Sequence, residues 1–199
     1  VEETKKAFCL VAEDDEKLII EPEWVYYEDG QTIKDALDAT VHTFDGIDQG
    51  FIYSINGVIY SPYRTSDNGV YEFDKEASEI ANVFRFSMSD RLPGVQLVAL
   101  LKAMADYNGN QEYKDSDEVT AVYNEAKTAY IGIDSETAEI HEQNLRNAMA
   151  KVDNAEKYSV AFDVTQGGAA ATGYDTFIYN DKGTKIDAQA DGTYMLRSG

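Results

Sequence analysis

The side chains best suited to recognising a ligand are aromatic, and they cluster in the first third of this sequence. Rings on an exposed sheet face can stack against a sugar or a protein partner. Strand alternation puts Trp24 and Tyr26 on one face and Val25 and Tyr27 on the other, so only one set can be buried against a helix. The alternative is that half of these rings are core. The predicted binding group comprises Trp24, Tyr26, Tyr53, Tyr60, Tyr63 and Arg64.

Acid–base and nucleophilic chemistry have few candidates. The two histidines, His42 and His141, fall in different predicted domains, and neither is beside a plausible nucleophile. His141 lies on the apolar face of a predicted helix, which indicates a structural role, and His42 follows a helix as a solvated helix-end cation. The sequence has no Gly-x-Ser-x-Gly, phosphate-loop or His-Glu-x-x-His motif, and its 37 acidic residues make some carboxylate pairing inevitable. We therefore predict no catalytic residue and a protein that is not an enzyme.

Metal and thiol chemistry are also poorly supported. Asp187 and Asp191 precede Gly192 at a spacing that lacks the alternating ligands and terminal glutamate of a calcium loop, which favours a plain β-turn. Cys9 is the only cysteine, so an internal disulfide and a zinc site of several thiolates are excluded. Because this cysteine lies in the apolar run Ala7–Val11, we expect it to be a small buried hydrophobe. No metal and no cofactor are predicted.

The charge balance limits the classes of partner. Seventeen basic and 37 acidic side chains give a net charge of −20, which repels nucleic-acid phosphates and anionic lipid. No apolar run is long enough to cross a membrane, and no basic-then-apolar leader is present. The chain begins with Val1, from which we expect a mature or excised fragment.

The first part of the chain has the pattern of a sheet with one short helix. Thr32 can cap a helix over Thr32–Ala39, with Asp35 at the third helical position. Asn56-Gly57 separates two apolar runs and tolerates the positive φ angles of a type I′ turn, so it predicts a hairpin. One helix across one sheet is a β-grasp-like α+β arrangement. The expected strands are Ala7–Ala12, Lys17–Tyr27 with Pro22 at a bulge or edge, Phe51–Ile55, Val58–Tyr60 and Ala81–Met88.

Four motifs in this region carry a resemblance. They are Ile20-Glu-Pro22, Val25-Tyr-Tyr-Glu-Asp-Gly30, Thr32-Ile-Lys-Asp-Ala-Leu37 and Tyr53-Ser-Ile-Asn-Gly57. Together they resemble the β-grasp domain of unknown function related to the transcobalamin C-terminal domain, which is common in exported bacterial proteins. The resemblance covers about residues 7 to 88 and implies a β-grasp fold and export from the cell.

A helical region follows Arg91-Leu-Pro-Gly94, where proline and glycine stop regular structure. Apolar residues spaced by three and four predict helices over Val95–Tyr107 and Asp117–Tyr130, the second capped by Ser116, and a third helix after Ser135. Three amphipathic helices with short connections predict an antiparallel bundle.

The last segment alternates with period two from Ser159 onward, which predicts strands. Turns are expected at Gly167-Gly168, Asp181-Lys-Gly183 and Asp191-Gly192. These 41 residues are few for a sandwich of seven strands, so we expect an incomplete β-sandwich-like module that further chain completes.

Two further resemblances concern these last two regions. Asn144-Leu145-x-x-Ala148, together with an aromatic-spaced second helix, resembles the FIVAR-type helical modules of Gram-positive surface proteins. The run from Asn180 to Leu196 resembles the start of the prealbumin-like β-sandwich modules in bacterial adhesin stalks. Both resemblances imply a spacer or stalk.

These patterns together predict an α+β chain of several modules. The predicted domains are a β-grasp-like domain at residues 1–90, a three-helix bundle at 91–158 and a C-terminal β module at 159–199. The predicted function is a non-catalytic, secreted, modular cell-surface or adhesion protein of a Gram-positive-like bacterium, whose partner is a cell-surface glycan or protein. Neither nucleic-acid binding nor membrane insertion by this fragment is expected. The alternative is an accessory carbohydrate-binding or spacer region of a secreted glycan-active enzyme.

Overall fold

The structure is a computed structural model, and it describes residues 6–59, 64–65, 72–87, 95–166, 168–170 and 175–197. Helices and strands are both present, so the predicted α+β class is confirmed. By its contacts the chain divides into two compact units, Val1–Met149 and Ala150–Gly199. No helix in the described part of the chain is both long and apolar enough to span a bilayer.

A four-stranded sheet forms the centre of the first unit. Its strands are β1 (Lys6–Glu13), β2 (Leu18–Tyr27), β6 (Arg64–Thr65) and β7 (Val83–Ser87), in the order β2-β1-β7-β6. β1 runs antiparallel to β2 and parallel to β7, while β6 and β7 are antiparallel. β1 therefore lies inside the sheet, and both of its faces are available for burial.

The pairing of β1 with β2 is irregular near Pro22. The register passes from Leu10 opposite Glu23 to Ala12 opposite Ile20, so the second strand holds an extra residue in this stretch. β2 is also an outer strand of the described sheet. The bulge and the edge position expected for this proline are thus both found.

The helix α1 (Ile33–Asp38) begins at the predicted cap. The Thr32 hydroxyl accepts a hydrogen bond from the Asp35 amide at 3.1 Å, and the Asp35 carboxylate accepts one from the Thr32 amide at 2.9 Å. These hydrogen bonds from Thr32 hold the pKa of Asp35 below its ordinary value. The helix buries Ile33, Ala36 and Leu37, which form one apolar stripe, in the core.

The predicted Asn-Gly hairpin is present with shorter strands. β4 (Ser54–Ile55) and β5 (Val58–Ile59) pair around Asn56 at φ 50° and Gly57 at φ 79°, the two positive angles of a type I′ turn. β3 (Phe44–Asp45) adds a third strand on the other side of β4. Single 3₁₀ turns over Ile47–Gln49 and Ala77–Glu79 complete the connections described here.

The main core lies on the α1 face of the sheet. Alternation directs Phe8, Leu10 and Ala12 of β1, and Phe84 and Phe86 of β7, to this face, where all five are buried. Residues of α1 and of the small β3-β4-β5 sheet join the same cluster. The further core residues are Ile20, Val25, Ile33, Ala36, Leu37, Phe44, Ile47, Ile52, Ile55, Phe73, Ala77 and Ile80.

Four helices follow the sheet, in the order α2 (Val95–Gly109), α3 (Gln111–Asp115), α4 (Asp117–Ala129) and α5 (Ser135–Asp153). Ser116 caps α4 as predicted, and its hydroxyl accepts from the Val119 amide at 3.4 Å. α3 was not predicted, because its residues form a single polar turn with no buried side chain.

The helix α2 packs on the second face of the sheet. The Cys9 sulfur of β1 lies 3.7 Å from the carbonyl oxygen of Leu101 in α2, and Trp24 of β2 is hydrogen-bonded to Asp106 of the same helix. The first compact unit contains both the sheet and this helix, and the predicted domain boundaries near residues 90 and 158 stay predictions. The physical reason for the packing of α2 is that β1 is apolar on both faces, so a second layer must cover it. Whether residues 91–158 fold alone as a bundle stays a prediction.

The second unit consists largely of two-stranded ribbons. Tyr194 is the buried residue of its largest ribbon; its hydroxyl donates to the Thr176 carbonyl oxygen at 2.8 Å, and its ring meets Phe162 edge-on at 5.8 Å. The β-sandwich-like module, expected to be incomplete, stays a prediction. The strands are β8 (Lys157–Val160) with β13 (Tyr194–Arg197), β9 (Thr165–Gln166) with β10 (Ala169–Ala170), and β11 (Ile178–Tyr179) with β12 (Lys185–Ile186).

Candidate functional site

Two of the predicted binding residues lie side by side on the outer strand β2. Trp24 is opposite Cys9 and Tyr26 is opposite Ala7, so both side chains project from the α2 face of the sheet. Trp24 is half-buried, and its indole N–H donates to Asp106 Oδ1 at 2.8 Å. Tyr26 is 57% exposed. We call Trp24 and Tyr26 the β2 aromatic pair.

A series of charged side chains leads from the indole of Trp24 to α5. The second carboxylate oxygen of Asp106 lies 3.4 Å from Arg146 Nη1, and Arg146 Nε donates to Glu142 one turn earlier in α5. The indole is therefore fixed in place by a carboxylate that is itself paired. A ring held in this way can stack on a ligand without losing much conformational freedom, and the neighbouring charged groups can bind hydroxyls or amides.

The alternation expected along β2 is observed. Val25 is buried in the main core, and Tyr27 packs against that core with its ring centroid 6.0 Å from the ring of Phe8. Val25 and Tyr27 therefore belong to or pack against the core on the α1 face, whereas the β2 aromatic pair lies on the α2 face.

Of the other predicted binding residues, only Tyr53 has a described side chain, and it lies apart from the β2 aromatic pair in its ring contacts. Tyr53 follows the first 3₁₀ turn, is 38% exposed, and has its ring 6.1 Å from that of Phe51. Among the described residues no ring contact joins Tyr53 to Trp24 or Tyr26. The remaining members, Tyr60 and Tyr63, lie outside the described residues, as does the side chain of Arg64, whose backbone belongs to β6.

A polar network fastens α4 to the edge of β2. Tyr123 and Lys127 of α4 both donate to the carboxylate of Glu21. Asn108 Nδ2 lies 2.8 Å from the Pro22 carbonyl oxygen and 2.9 Å from the Tyr123 hydroxyl. The Pro22 carbonyl oxygen, on the outer strand β2, therefore accepts a hydrogen bond from α2.

The pKa values of this network move in opposite directions. Burial acts to raise the pKa of Glu21, but the hydrogen bonds from Lys127 and Tyr123 outweigh it and leave the pKa below its ordinary value. Burial, followed by the bond to Glu21, raises the pKa of Tyr123. The carboxylate stays charged and the phenol stays protonated, which suits a structural tie.

A second polar cluster is fully buried between the sheet and the end of α4. The Glu13 carboxylate accepts hydrogen bonds from Arg85, from the hydroxyl of Tyr130 and, at 3.1 Å, from the hydroxyl of Ser87. All four residues are at most 4% exposed. A buried carboxylate is tolerated here because a guanidinium and two hydroxyls replace its water.

The two histidines differ in what the structure shows of their surroundings. His42 was predicted to be a solvated helix-end cation, and the solvated part of this prediction is wrong: its side chain is 16% exposed and its Nε2 lies 3.1 Å from Glu23 Oε1. The error arose because the bulged strand β2 brings Glu23 over the end of α1, which local sequence does not show. His141 is half-buried on α5.

Metal and thiol chemistry find little support in the described part of the chain. There, no three side chains of histidine, cysteine, aspartate or glutamate converge closely enough to hold a metal ion. Cys9 is fully buried, as predicted, and burial followed by the charge of Asp106 raises the pKa of its thiol to about 12.

Sequence reasoning missed the partners that hold these groups. Asp106 and Arg146 were not predicted, and neither was the cluster around Glu13. One signal was available for the cluster: Arg85 interrupts the strongly apolar strand β7, at a position where a solvated charge is unexpected. No comparable signal marks Asp106. It lies near the end of its helix, close to polar residues, where a charged side chain is not unusual.

Comparisons with known proteins found no relative of this chain. No family model matches it, and no curated protein or solved structure matches it.

Proposed function

We propose that this chain belongs to a non-catalytic, modular cell-surface or adhesion protein, and that its first unit is a ligand-binding module. The observation that carries the proposal is the β2 aromatic pair, in which Asp106 holds the half-buried Trp24 beside the exposed Tyr26. Aromatic rings presented on an outer strand can contact a ligand from the side where the sheet ends.

The engaged polar groups support a binding or spacer role. Glu13, Glu21 and Asp106 are each tied to a side chain from another element. These contacts fasten helix to sheet, so these three carboxylates help to hold the scaffold in shape. A rigid scaffold suits recognition because less freedom is lost on binding.

The finer fold assignments belong to the same proposal. A β-grasp assignment for the first region is supported by the antiparallel β1–β2 pair, the capped helix on one face and the parallel pairing of β1 with β7. For the second unit, a β-sandwich-like assignment is supported by its antiparallel two-stranded ribbons. With the three-helix module these parts would make an extracellular chain of a Gram-positive-like bacterium.

The alternative is an accessory carbohydrate-binding region of a secreted glycan-active enzyme. The observation in its favour is the set of charged groups beside the indole, because Asp106 and Arg146 can form hydrogen bonds with sugar hydroxyls while Trp24 stacks on the ring. Both candidates use the same surface and differ in the ligand.

A binding screen tests the proposal and separates the candidates. The whole chain is screened against immobilised glycans and against extracellular matrix proteins, and Trp24→Ala and Tyr26→Ala are compared with the matched control Tyr158→Ala, an exposed tyrosine outside the predicted binding group. Selective sugar binding lost in the first two variants alone would favour the accessory region. Protein binding lost in the same way would favour the adhesion module. Binding that none of these variants weakens would show that the β2 aromatic pair is not the binding surface. A double variant with Tyr60→Ala and Tyr63→Ala then tests the other predicted aromatic residues.

A further inference from the structure

The side chain of Asn56 is held at both ends by the segment before β3. Its Oδ1 accepts from the Thr43 amide at 3.1 Å, and its Nδ2 lies 3.0 Å from His42 Nδ1. The backbone amide of Asn56 also donates to the Thr43 carbonyl oxygen at 3.1 Å. We call these contacts of His42 and Thr43 the Asn56 clamp.

The hydrogen bonds of the clamp fix the orientation of the Asn56 carboxamide and the tautomer of His42. The Thr43 amide can only donate, so the atom facing it must be the carboxamide oxygen, and Nδ2 must face His42. Since Nδ2 can only donate, Nδ1 of His42 is an acceptor and carries no proton. The neutral imidazole then carries its proton on Nε2, where Glu23 Oε1 at 3.1 Å accepts it.

The same asparagine belongs to an Asn-Gly pair, which is chemically labile. The backbone nitrogen of Gly57 can attack Cγ of Asn56, forming a C–N bond and a succinimide while Nδ2 leaves as ammonia. Water then opens the ring at either carbonyl and yields aspartate or isoaspartate. Gly57 favours the attack because it has no side chain to crowd its nitrogen. The clamp opposes it, because Nδ2 and Oδ1 are both bound to a neighbouring segment.

We propose that Asn56 is a deamidation site whose rate is set by the Asn56 clamp. In the folded chain the carboxamide must leave His42 and Thr43 before Gly57 can reach it. The product changes the module, because isoaspartate adds a backbone atom to a two-residue turn whose length sets the register of β4 and β5. Either product also makes the chain more negative.

The test measures deamidation at Asn56 by mass spectrometry of digests after the whole chain is incubated at mildly alkaline pH. His42→Phe keeps a ring but has no acceptor for Nδ2, whereas His42→Gln can still accept from it. We expect His42→Phe to deamidate Asn56 about three- to tenfold faster than wild type, because one neutral hydrogen bond contributes roughly that factor. His42→Gln should stay near the wild-type rate.

Asn108-Gly109 is the internal control in the same digest. Asn108 is held by Pro22 and Tyr123, contacts that His42→Phe does not touch. Faster reaction at Asn56 alone supports the proposal. An unchanged rate at Asn56, or an equal increase at both asparagines, overturns a local clamp. If circular dichroism shows that His42→Phe does not fold, His42→Ala replaces it and the same comparison with Asn108 decides.

Discussion

At the scale of single residues, the second face of the sheet is where three side chains with chemically reactive or charged groups are buried. Cys9, Glu13 and Arg85 all point to this face, where α2 and the end of α4 exclude water. A thiol in such a place loses its reactivity, since the thiolate is the nucleophile and burial disfavours it. A carboxylate in such a place depends on each donor that replaces water.

Cys9 gives the first prediction. Because the pKa of its thiol is about 12, the native protein should react negligibly with a thiol-exchange reagent at neutral pH. The urea-unfolded chain serves as the control and should react completely. Rapid labelling of the native protein, followed by absorbance, would show that α2 does not cover this face.

Tyr130 gives the second prediction. Tyr130→Phe removes the hydroxyl that donates to the buried Glu13 carboxylate, and should lower the free energy of unfolding by about 1–3 kcal/mol. Tyr158→Phe is the matched control, because Tyr158 donates to Glu156 at an exposed position. Urea unfolding measures both, and equal small losses would argue against a buried network at Glu13.

At the scale of elements, the start of α1 and the β4–β5 hairpin are formed by hydrogen bonds between residues close in sequence. Contacts between elements instead use the bulged, outer strand β2. The capping residues of α1 and the turn residues of β4–β5 satisfy neighbouring backbone groups, which is why they could be recognised in sequence. The Pro22 carbonyl oxygen, at the bulge, instead accepts a hydrogen bond from Asn108 of α2.

The hairpin turn gives a prediction about backbone strain. Gly57 has φ 79° and nothing within 4 Å of where a Cβ would stand, so a side chain there meets no clash and the cost is conformational. Gly57→Val should lower the free energy of unfolding by about 1–3 kcal/mol, because a β-branched residue is strained at positive φ. Gly57→Asn is the control and should lose less, since asparagine tolerates this region. Equal melting temperatures for Gly57→Val and wild type would rule out the turn.

The hydrogen bonds from α4 to Glu21 of β2 should make the free energy of unfolding depend on pH. The pKa of Glu21 is lowered in the folded protein, so its contribution to stability is present above the unfolded pKa of about 4.3 and is lost as pH falls through the folded value. Glu21→Gln should therefore be less stable than wild type at neutral pH, and the difference should close in acid. Glu16→Gln, at an exposed turn, is the control. A difference between wild type and Glu21→Gln that stays constant from neutral pH to acid would contradict the tie.

At the scale of the whole molecule, charge is unevenly distributed. Residues 1–90 carry 7 basic and 20 acidic side chains, which is −13 of the total charge of −20. Such an excess keeps a protein soluble but makes its folded state repel itself.

Salt should therefore stabilise the chain. Added sodium chloride shortens the range of repulsion to about 10 Å at 0.1 M, so the melting temperature should rise with salt. Potassium chloride at the same ionic strength is the control and should give the same rise, because the effect is screening. A melting temperature that is flat or falls would mean that the ion pairs at Lys34 and Lys127 outweigh the repulsion.

The sequence by itself determined the local features of this protein. The cap at Thr32, the type I′ turn at Asn56-Gly57, the spans of three long helices and the alternation along β2 all depend on residues within a few positions of one another. Local propensity and hydrogen bonding decide such features. The predicted pairing of faces at Trp24 and Tyr26 followed from the same rule.

Only the tertiary structure decided which layers meet. Glu13 contacts Arg85 and Tyr130, which are 72 and 117 positions away, and Trp24 contacts Asp106 across 82 positions. Period-two alternation shows that β1 is apolar on both faces but not what covers the second one. That face is covered by α2 because packing a helix there buries apolar surface and satisfies the indole and the Pro22 carbonyl at once.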